Sequence, residues 1–186
     1  MRLFVALDIP EDIKEALFAF TIKTFSHVSS FVPTRRENLH ITLKFIGDLD
    51  VPKRKEKEIL SDISKRIVRG CKDIGPFPVI LGHIEYFKQR KFTVYSRVDS
   101  PLVLPRLIRQ LRRQFLGVGK KDSQRIFPHV TIGRCSERGE IGIEEKIRTV
   151  KIERIGFLAS TIVLYESVLA SSGPSYFPKI TFALPF

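Results

Sequence analysis

The sequence predicts an α+β protein built from two similar lobes, related by a pseudo-two-fold axis, with a cleft between them. An order of strand, helix, strands and helix occurs in the first half of the 186 residues and again in the second half. A short His-x-Thr motif also occurs once in each half, at His40 and at His129. No linker rich in Pro, Gly or Ser separates the halves. We therefore expect residues 1–186 to form a single domain of two intertwined lobes, each a largely antiparallel sheet with packed helices.

The first half begins with a predicted strand over residues 2–9. Pro10 and the two acidic residues after it are typical of a helix N-terminus. Helical spacing gives this helix an apolar, core-facing stripe: Ile13, Ala16, Leu17 and Phe20. A short strand is expected near 30–33, and a second helix over 52–69 should end at Gly70.

After the second helix the chain continues with strands and then repeats much of this order. A hairpin of two strands, 77–87 and 91–99, should be followed by a helix over 101–116. The outer face of that helix carries four arginines: Arg106, Arg109, Arg112 and Arg113. The sequence leaves open whether this face follows RNA or is only solvated. The remaining predicted elements are a helix and three strands: 139–150, 151–158, 161–170 and 179–184.

The first His-x-Thr motif lies in residues 38–47, whose β-branched and alternating pattern predicts a strand. Residues two apart in a strand share a face. His40 and Thr42 should therefore point to one side, with Lys44 next along the same face. The other face should be apolar and buried, and it carries Ile41, Leu43 and Phe45.

The second motif repeats the first at His129 and Thr131, 89 residues later (129 − 40). A lone His-x-Thr is more often a hydrogen-bonded core histidine than a functional one. Two copies half a chain apart are hard to explain by core packing alone, so we expect both pairs to face the cleft. His83 has no such threonine partner and is interpreted as structural.

Two imidazoles facing each other across a cleft suit acid–base catalysis near neutral pH. Hydrolysis of a phosphodiester needs one neutral imidazole, to deprotonate water, and one charged imidazole, to protonate the leaving oxygen. Thr42 and Thr131 would donate hydrogen bonds to the non-bridging phosphate oxygens. No Gly-x-Ser-x-Gly or Walker-type loop offers another chemistry.

The composition leaves two interpretations equally open: a nucleic-acid partner, or a basic surface that only keeps the protein in solution. The net charge of +12 attracts polyanions. No apolar run is long enough to span a bilayer and the N-terminus does not resemble a signal peptide, so we expect a cytoplasmic protein without a membrane partner. Cys71 and Cys135 suggest neither a disulfide nor a zinc cluster, and no cofactor is predicted. The alternative is a non-catalytic, basic RNA-binding module whose His-Thr pairs only form hydrogen bonds.

Two segments resemble a known family. HITLKFIG at 40–47 and PHVTIGR at 128–134 resemble the two His-x-Thr-x motifs of the 2H phosphoesterase superfamily. The resemblance is greatest to its RNA 2′,3′-cyclic phosphodiesterase branch, also called the LigT or 2′-5′ RNA ligase family. The first ten residues and GPSY at 173–176 are similar to that branch too, so the resemblance covers nearly the whole chain.

The resemblance implies a bilobal fold, no metal, and opening of a terminal 2′,3′-cyclic phosphate on RNA to a 2′-phosphate. Some members of the family also join tRNA halves through a 2′-5′ linkage, so tRNA fragments are candidate partners of a protein that we expect to be a monomer. His40 would be the proton donor and His129 the proton acceptor, with Thr42 and Thr131 binding the phosphate. The sequence alone leaves these two histidine roles exchangeable.

Two further residues match the family. Arg134 matches its arginine after the second motif, but strict alternation places Arg134 on the face opposite His129. A bulge near Gly133 would turn it into the cleft to bind phosphate, and without one it serves the structure. Tyr176 is expected either to stack on a base or to lie in the core.

Overall fold

The computed structural model describes residues 1–88, 92–100, 102–120, 126–135, 140–150, 152, 154–171 and 173–185. The strands are β1 Arg2–Leu7, β2 Phe31–Pro33, β3 Ile41–Asp48, β4 Phe77–Lys88, β5 Phe92–Asp99, β6 His129–Cys135, β7 Ile155–Ala159, β8 Thr161–Ala170 and β9 Gly173–Ala183. The α-helices are α1 Glu11–Phe25, α2 Glu56–Cys71, α3 Val103–Gln114 and α4 Glu140–Thr149. Two short 3₁₀ helices cover Arg36–Asn38 and Lys53–Lys55.

The strands form two sheets, and every pairing in them is antiparallel. The first sheet has the order β3-β1-β8-β9 and the second has the order β2-β6-β5-β4-β7. The predicted α+β class with two antiparallel sheets is therefore confirmed. The strands of the two His-x-Thr motifs occupy matching places, since β3 pairs with β1 in the first sheet and β6 pairs with β5 in the second.

The two halves of the chain exchange strands. After α2 the chain enters β4, which pairs with β5 in the second sheet. After α4 and β7 it enters β8, which pairs with β1 in the first sheet. The order β3-β1-β8-β9 thus corresponds to β6-β5-β4-β7, and each sheet contains strands from both halves.

The helices α1 and α3 each pack against the sheet that does not contain the strand before them. α1 follows β1 but contacts β2 and β6 of the second sheet, whereas α3 follows β5 but contacts β3 of the first sheet. α2 packs against α3. The two motif strands, β3 and β6, also contact each other. These contacts place the two histidines where the sheets meet. No helix in the described ranges is long and apolar enough to cross a membrane.

The predicted apolar stripe of α1 is partly wrong, because Ala16 is exposed while Lys14 is buried. The Lys14 ammonium is compensated by ion pairs with Asp8 at 3.0 Å and Glu11 at 2.8 Å. The hydroxyl of buried Thr21 donates to the Leu17 carbonyl at 2.7 Å. Paired polar side chains can therefore occupy the inner face, which an apolar pattern does not reveal.

Gly70 does not end the second helix, since α2 continues through it to Cys71. A Cβ at Gly70 would lie 2.8 Å from Leu111 Cδ2, so the missing side chain allows close approach of α2 to α3. The last strand is longer than predicted and starts at Gly173, not at 179. The predicted hairpin turn at 89–90 and residues 151 and 153 lie outside the described residues. So do residues 121–125, most of the basic loop that the sequence predicts over 117–125.

Candidate active site

A cleft of about 790 Å³ is lined by residues of both sheets. All six residues that the sequence analysis proposed for the site line it: His40, Thr42, His129, Thr131, Arg134 and Tyr176. The apolar residues between the motif positions face the core, as alternation predicts, and Ile41, Val130 and Ile132 are fully buried. The strands therefore present both His-Thr pairs to one space.

The two imidazoles are held in the same way. His40 Nδ1 lies 2.7 Å from the carbonyl oxygen of Asn38, and His129 Nδ1 lies 2.9 Å from that of Phe127. Because a carbonyl oxygen only accepts, each Nδ1 carries a hydrogen and donates it. Each neutral ring then has an unprotonated Nε2. That of His40 lies 3.0 Å from the Thr42 hydroxyl, which can donate to it.

Aromatic rings surround both histidines. The rings of Phe4, Tyr176 and Tyr165 lie 5.0, 5.2 and 6.4 Å from His40, measured between centroids. Around His129 they are Phe87, Tyr95 and Phe127, at 5.3, 5.3 and 6.2 Å. Of these aromatic residues, only Tyr176 is predicted from the sequence to belong to the site. Strand alternation offered a partial signal, because Phe4 shares the cleft face of β1 with Arg2.

A β-bulge at Leu43 changes the predicted faces of β3. Val5 pairs with Lys44 and Ala6 with Thr42, so Leu43 is the extra residue. Lys44 therefore turns away from the cleft, contrary to prediction. It is 2% exposed, and its ammonium donates to the Lys120 carbonyl at 2.8 Å.

The same bulge overturns the predicted burial of Phe45 in the core. Phe45 pairs with Phe4 and lines the cleft, half-buried. The guanidinium carbon of Arg2 lies 5.1 Å from its ring centroid. Phe45 is thus a member of the site that simple alternation assigned to the wrong face.

A second bulge, at Ile132, settles the orientation of Arg134. Val94 pairs with Gly133 and Tyr95 with Thr131, so Ile132 is the extra residue and Arg134 returns to the face of Thr131. A Cβ at Gly133 would lie 2.1 Å from Phe31 Cζ, so only glycine fits beside that ring. The bulge near Gly133 that the sequence left open is present.

Residues 10–168 match the family model described as the 2′-5′ RNA ligase superfamily. The chain belongs to this superfamily. The RNA 2′,3′-cyclic phosphodiesterase of Methanocaldococcus jannaschii is 33% identical over 180 residues, which cover 95% of this chain and 96% of the relative. The enzyme of that name from Thermotoga maritima is 25% identical over 178 residues, covering 95% and 91%. These relatives confirm the predicted family and the prediction of an enzyme of the cyclic phosphodiesterase class.

Solved structures agree with this membership. Escherichia coli LigT complexed with 3′-AMP has a TM-score of 0.72 and 25% identity, with 98% of this chain and 97% of that chain covered. TT0787 of Thermus thermophilus also has a TM-score of 0.72, at 22% identity over 99% and 98% of the two chains. The predicted bilobal α+β architecture is therefore the fold of this superfamily.

The electrostatics of the site keep both imidazoles neutral at neutral pH. Burial lowers the pKa of His40 to about 4, although its Nδ1 bond to Asn38 opposes this. The charges of His129 and Lys14 lower the pKa of His40 further. Burial also lowers the pKa of His129. Since the two rings repel each other when both are charged, binding of a second proton is less favourable than binding of the first.

The remaining residues can be divided into those that line the cleft and those that do not. Tyr176 lies in the cleft and not in the core, with its ring edge-to-face to His40 at 89°. His83 is exposed and does not line the cleft. Two neighbouring arginines lie in the turn between β2 and β3: Arg36 pairs with Glu15 on the surface, whereas Arg35 lines the cleft. Among the described residues, no group of three or more His, Cys, Asp or Glu could hold a metal ion.

Proposed function

We propose that this protein opens 2′,3′-cyclic phosphate termini of RNA to 2′-phosphates by metal-independent acid–base catalysis with two histidines. The observation that carries the proposal is the shared cleft, in which two equivalently held imidazoles, two threonines and Arg134 converge from two sheets. The names of the curated relatives support the substrate class. The net charge of +12 supports a polyanionic partner.

In the proposed reaction, Nε2 of His129 removes a proton from water as its oxygen forms a bond to phosphorus. The bond between phosphorus and the 3′-oxygen breaks, and His40 donates its proton to that oxygen. The products are a 2′-phosphate and a 3′-hydroxyl. The histidines have then exchanged protonation states, and proton exchange with solvent restores the starting state.

Charge development on the non-bridging oxygens would be stabilised by three side chains. The hydroxyls of Thr42 and Thr131 would donate hydrogen bonds to these oxygens, and Arg134 would add a charge-assisted bond. All of these residues come from one chain, so we propose that the monomer is sufficient for activity.

Substrate binding would supply the proton that the free protein lacks. A phosphodiester anion between the rings favours the charged imidazole and raises its pKa. Repulsion between the rings would limit uptake to about one proton. The substrate would thereby create the required pair of one acid and one base.

Single His40→Ala and His129→Ala variants test the proposal on an oligoribonucleotide that ends in a 2′,3′-cyclic phosphate. Each should lower turnover by about 10² to 10⁴-fold. His83→Ala is the matched control and should keep full activity, because His83 is exposed and outside the cleft lining. EDTA should have no effect. Near wild-type turnover in either active-site variant contradicts the mechanism.

The same RNA ending in a hydroxyl separates catalysis from simple binding. If affinity depends on salt but not on the terminal phosphate or either histidine, the protein is an RNA-binding module. A cyclic substrate with sulfur as the 3′ bridging atom distinguishes the histidine roles, since a thiolate leaves without a proton. It should rescue His40→Ala but not His129→Ala, and the opposite pattern would exchange the roles.

A further inference from the structure

The cleft face of the first sheet continues beyond the His-Thr pair as a series of cross-strand pairs. Ala6 lies opposite Thr42, and Phe4 lies opposite Phe45. The next pair on this face is Arg2 and Asp48. From Ala6 towards Arg2, this face of the sheet presents first the Thr42 hydroxyl, then the rings of Phe4 and Phe45, and then the Arg2 guanidinium.

Arg2 is held in place but has no anionic partner in the described part of the chain. It is half-buried and lines the cleft, and its Nε is buried without a hydrogen-bond partner among the described residues. Its guanidinium carbon lies 5.1 Å from the centroid of the Phe45 ring. No ion pair joins it to Asp48, the carboxylate opposite, which is exposed. A partly desolvated guanidinium with a free donor is suited to binding an anion.

A second cation lies nearby. Lys120 Nζ is 6.0 Å from the centroid of the Phe45 ring. The loop of Lys120 is attached to β3, because its backbone N–H donates to the Ile46 carbonyl at 2.6 Å and its carbonyl accepts from Lys44 at 2.8 Å. Two cationic groups on fixed backbone thus lie beside the Phe45 ring: Arg2 in the cleft lining and Lys120 outside it.

Arg2 and Lys120 add positive charge beyond that needed to bind a cyclic phosphate. That group carries one negative charge, which Arg134 and one protonated histidine already balance in the proposed function. Phe4 contacts His40, and the Cα of Arg2 lies two residues farther along β1, about 7 Å from that of Phe4. An RNA chain that leaves the cyclic phosphate along this face would therefore bring its next phosphate towards Arg2.

We propose that Arg2, assisted by Lys120, binds the phosphodiester on the 5′ side of the terminal nucleoside. This subsite would make oligonucleotides better substrates than nucleoside 2′,3′-cyclic phosphates. The inference rests on the proposed function for the position of the cyclic phosphate. Asp48 would oppose binding at this subsite, so Asp48→Asn should strengthen it.

Arg2→Gln tests the inference with two substrates. One is a dinucleotide that ends in a 2′,3′-cyclic phosphate, and the other is a nucleoside 2′,3′-cyclic phosphate without a 5′-phosphate. For the dinucleotide we expect kcat/KM to fall about tenfold to a hundredfold, mainly through KM. For the mononucleoside it should change less than about twofold. Arg2→Lys should recover part of the loss, and Arg54→Gln, an exposed arginine outside the cleft lining, should match the wild type.

Salt dependence gives a second measurement. Loss of one phosphate contact should reduce the slope of log KM against log salt by about 0.7 for the dinucleotide. An equal loss on both substrates would overturn the inference and place Arg2 at the reacting phosphate. No loss on either would also overturn it.

The inference can fail separately from the proposed function. If the wild type hydrolyses neither substrate, the proposed function fails. Calorimetric binding of a dinucleotide with a terminal 2′-phosphate, compared with a nucleoside 2′-phosphate, then tests the subsite directly. Equal effects of Arg2→Gln on both affinities would overturn the inference, whereas a selective loss for the dinucleotide would support it.

Discussion

Phe45 and Arg134 occupy equivalent places in the two motifs, each five residues after its histidine and each on the cleft face. The cause is the same in both strands: a bulge three residues after the histidine, at Leu43 and at Ile132, reverses the alternation. One side of the pseudo-symmetric site therefore offers an aromatic ring and the other a guanidinium. The two motifs therefore share the histidine and the bulge but differ in the side chain that the bulge brings to the cleft.

Gly133→Ala should destabilise the protein by about 1–3 kcal/mol, because the new methyl group would overlap the Phe31 ring. Phe31 already stacks on Phe25, with ring centroids 4.6 Å apart, which limits its movement. Urea unfolding of the variant measures the loss. In a double-mutant cycle, Phe31→Ala should make Gly133→Ala much less costly. An additive cycle would show that the glycine matters for another reason.

Alternation along the sequence correctly places both His-Thr pairs but not the residues beyond the bulges. A bulge depends on how β3 pairs with β1 and how β6 pairs with β5, and each pairing joins distant parts of the chain. The sequence of a single strand therefore does not show where a bulge will form. Alternation alone therefore assigns Lys44 and Phe45 to the wrong faces and leaves Arg134 undecided.

Thr42→Val and Thr131→Val should each lower kcat by about 10–10³-fold, because in the proposed mechanism each removes a donor aimed at developing charge while keeping the shape. Steady-state kinetics on a cyclic-phosphate substrate measures the effect. Thr42→Ser and Thr131→Ser keep the hydroxyl and should retain most activity. If the valine variants raise KM without lowering kcat, the hydroxyls bind the ground state and the transition state equally.

The stability of the protein should fall as the pH decreases from about 6.5 to 4, partly because of His40. Burial lowers the pKa of His40 to about 4, so the unfolded chain binds more protons in this interval. Comparison of the free energies of unfolding at pH 7 and pH 4.5 should show a loss about 2 kcal/mol larger in the wild type than in His40→Gln. Equal losses would mean that His40 is not desolvated in the folded protein.

Two features of the protein could not be predicted from local sequence patterns: the exchange of strands between the sheets and the aromatic rings around the histidines. The repeated order of elements predicted two sheets, but it could not show that β4 and β8 each cross to the other sheet. Tyr165 lies near His40 because β8 pairs with β1, and Tyr95 lies near His129 because β5 pairs with β6. Their contribution to the site is tertiary, and neither strand contains a local motif that marks it.

Tyr176 should control the protonation of His40 through its ring and not through its hydroxyl. Its ring lies edge-to-face to His40 and to Phe4, at centroid distances of 5.2 and 4.9 Å. Tyr176→Ala would open His40 to water, remove part of the desolvation, and raise the pKa of His40 from about 4 towards 6.5. Tyr176→Phe keeps the ring and should leave the pKa near its wild-type value.

Proton NMR titration of the imidazole Cε1–H signals measures this difference directly. The aromatic rings around His129 are Phe87, Tyr95 and Phe127 and not Tyr176, so Tyr176→Ala should change the pKa of His129 only through the charge on His40, and Tyr176→Phe is the control that should leave both titrations near their wild-type values. In the pH profile of kcat/KM, the limb that reports His40 should move to higher pH in Tyr176→Ala only, because kcat/KM follows the free enzyme. An unchanged His40 titration in Tyr176→Ala would assign its desolvation to Phe4 and Tyr165 instead.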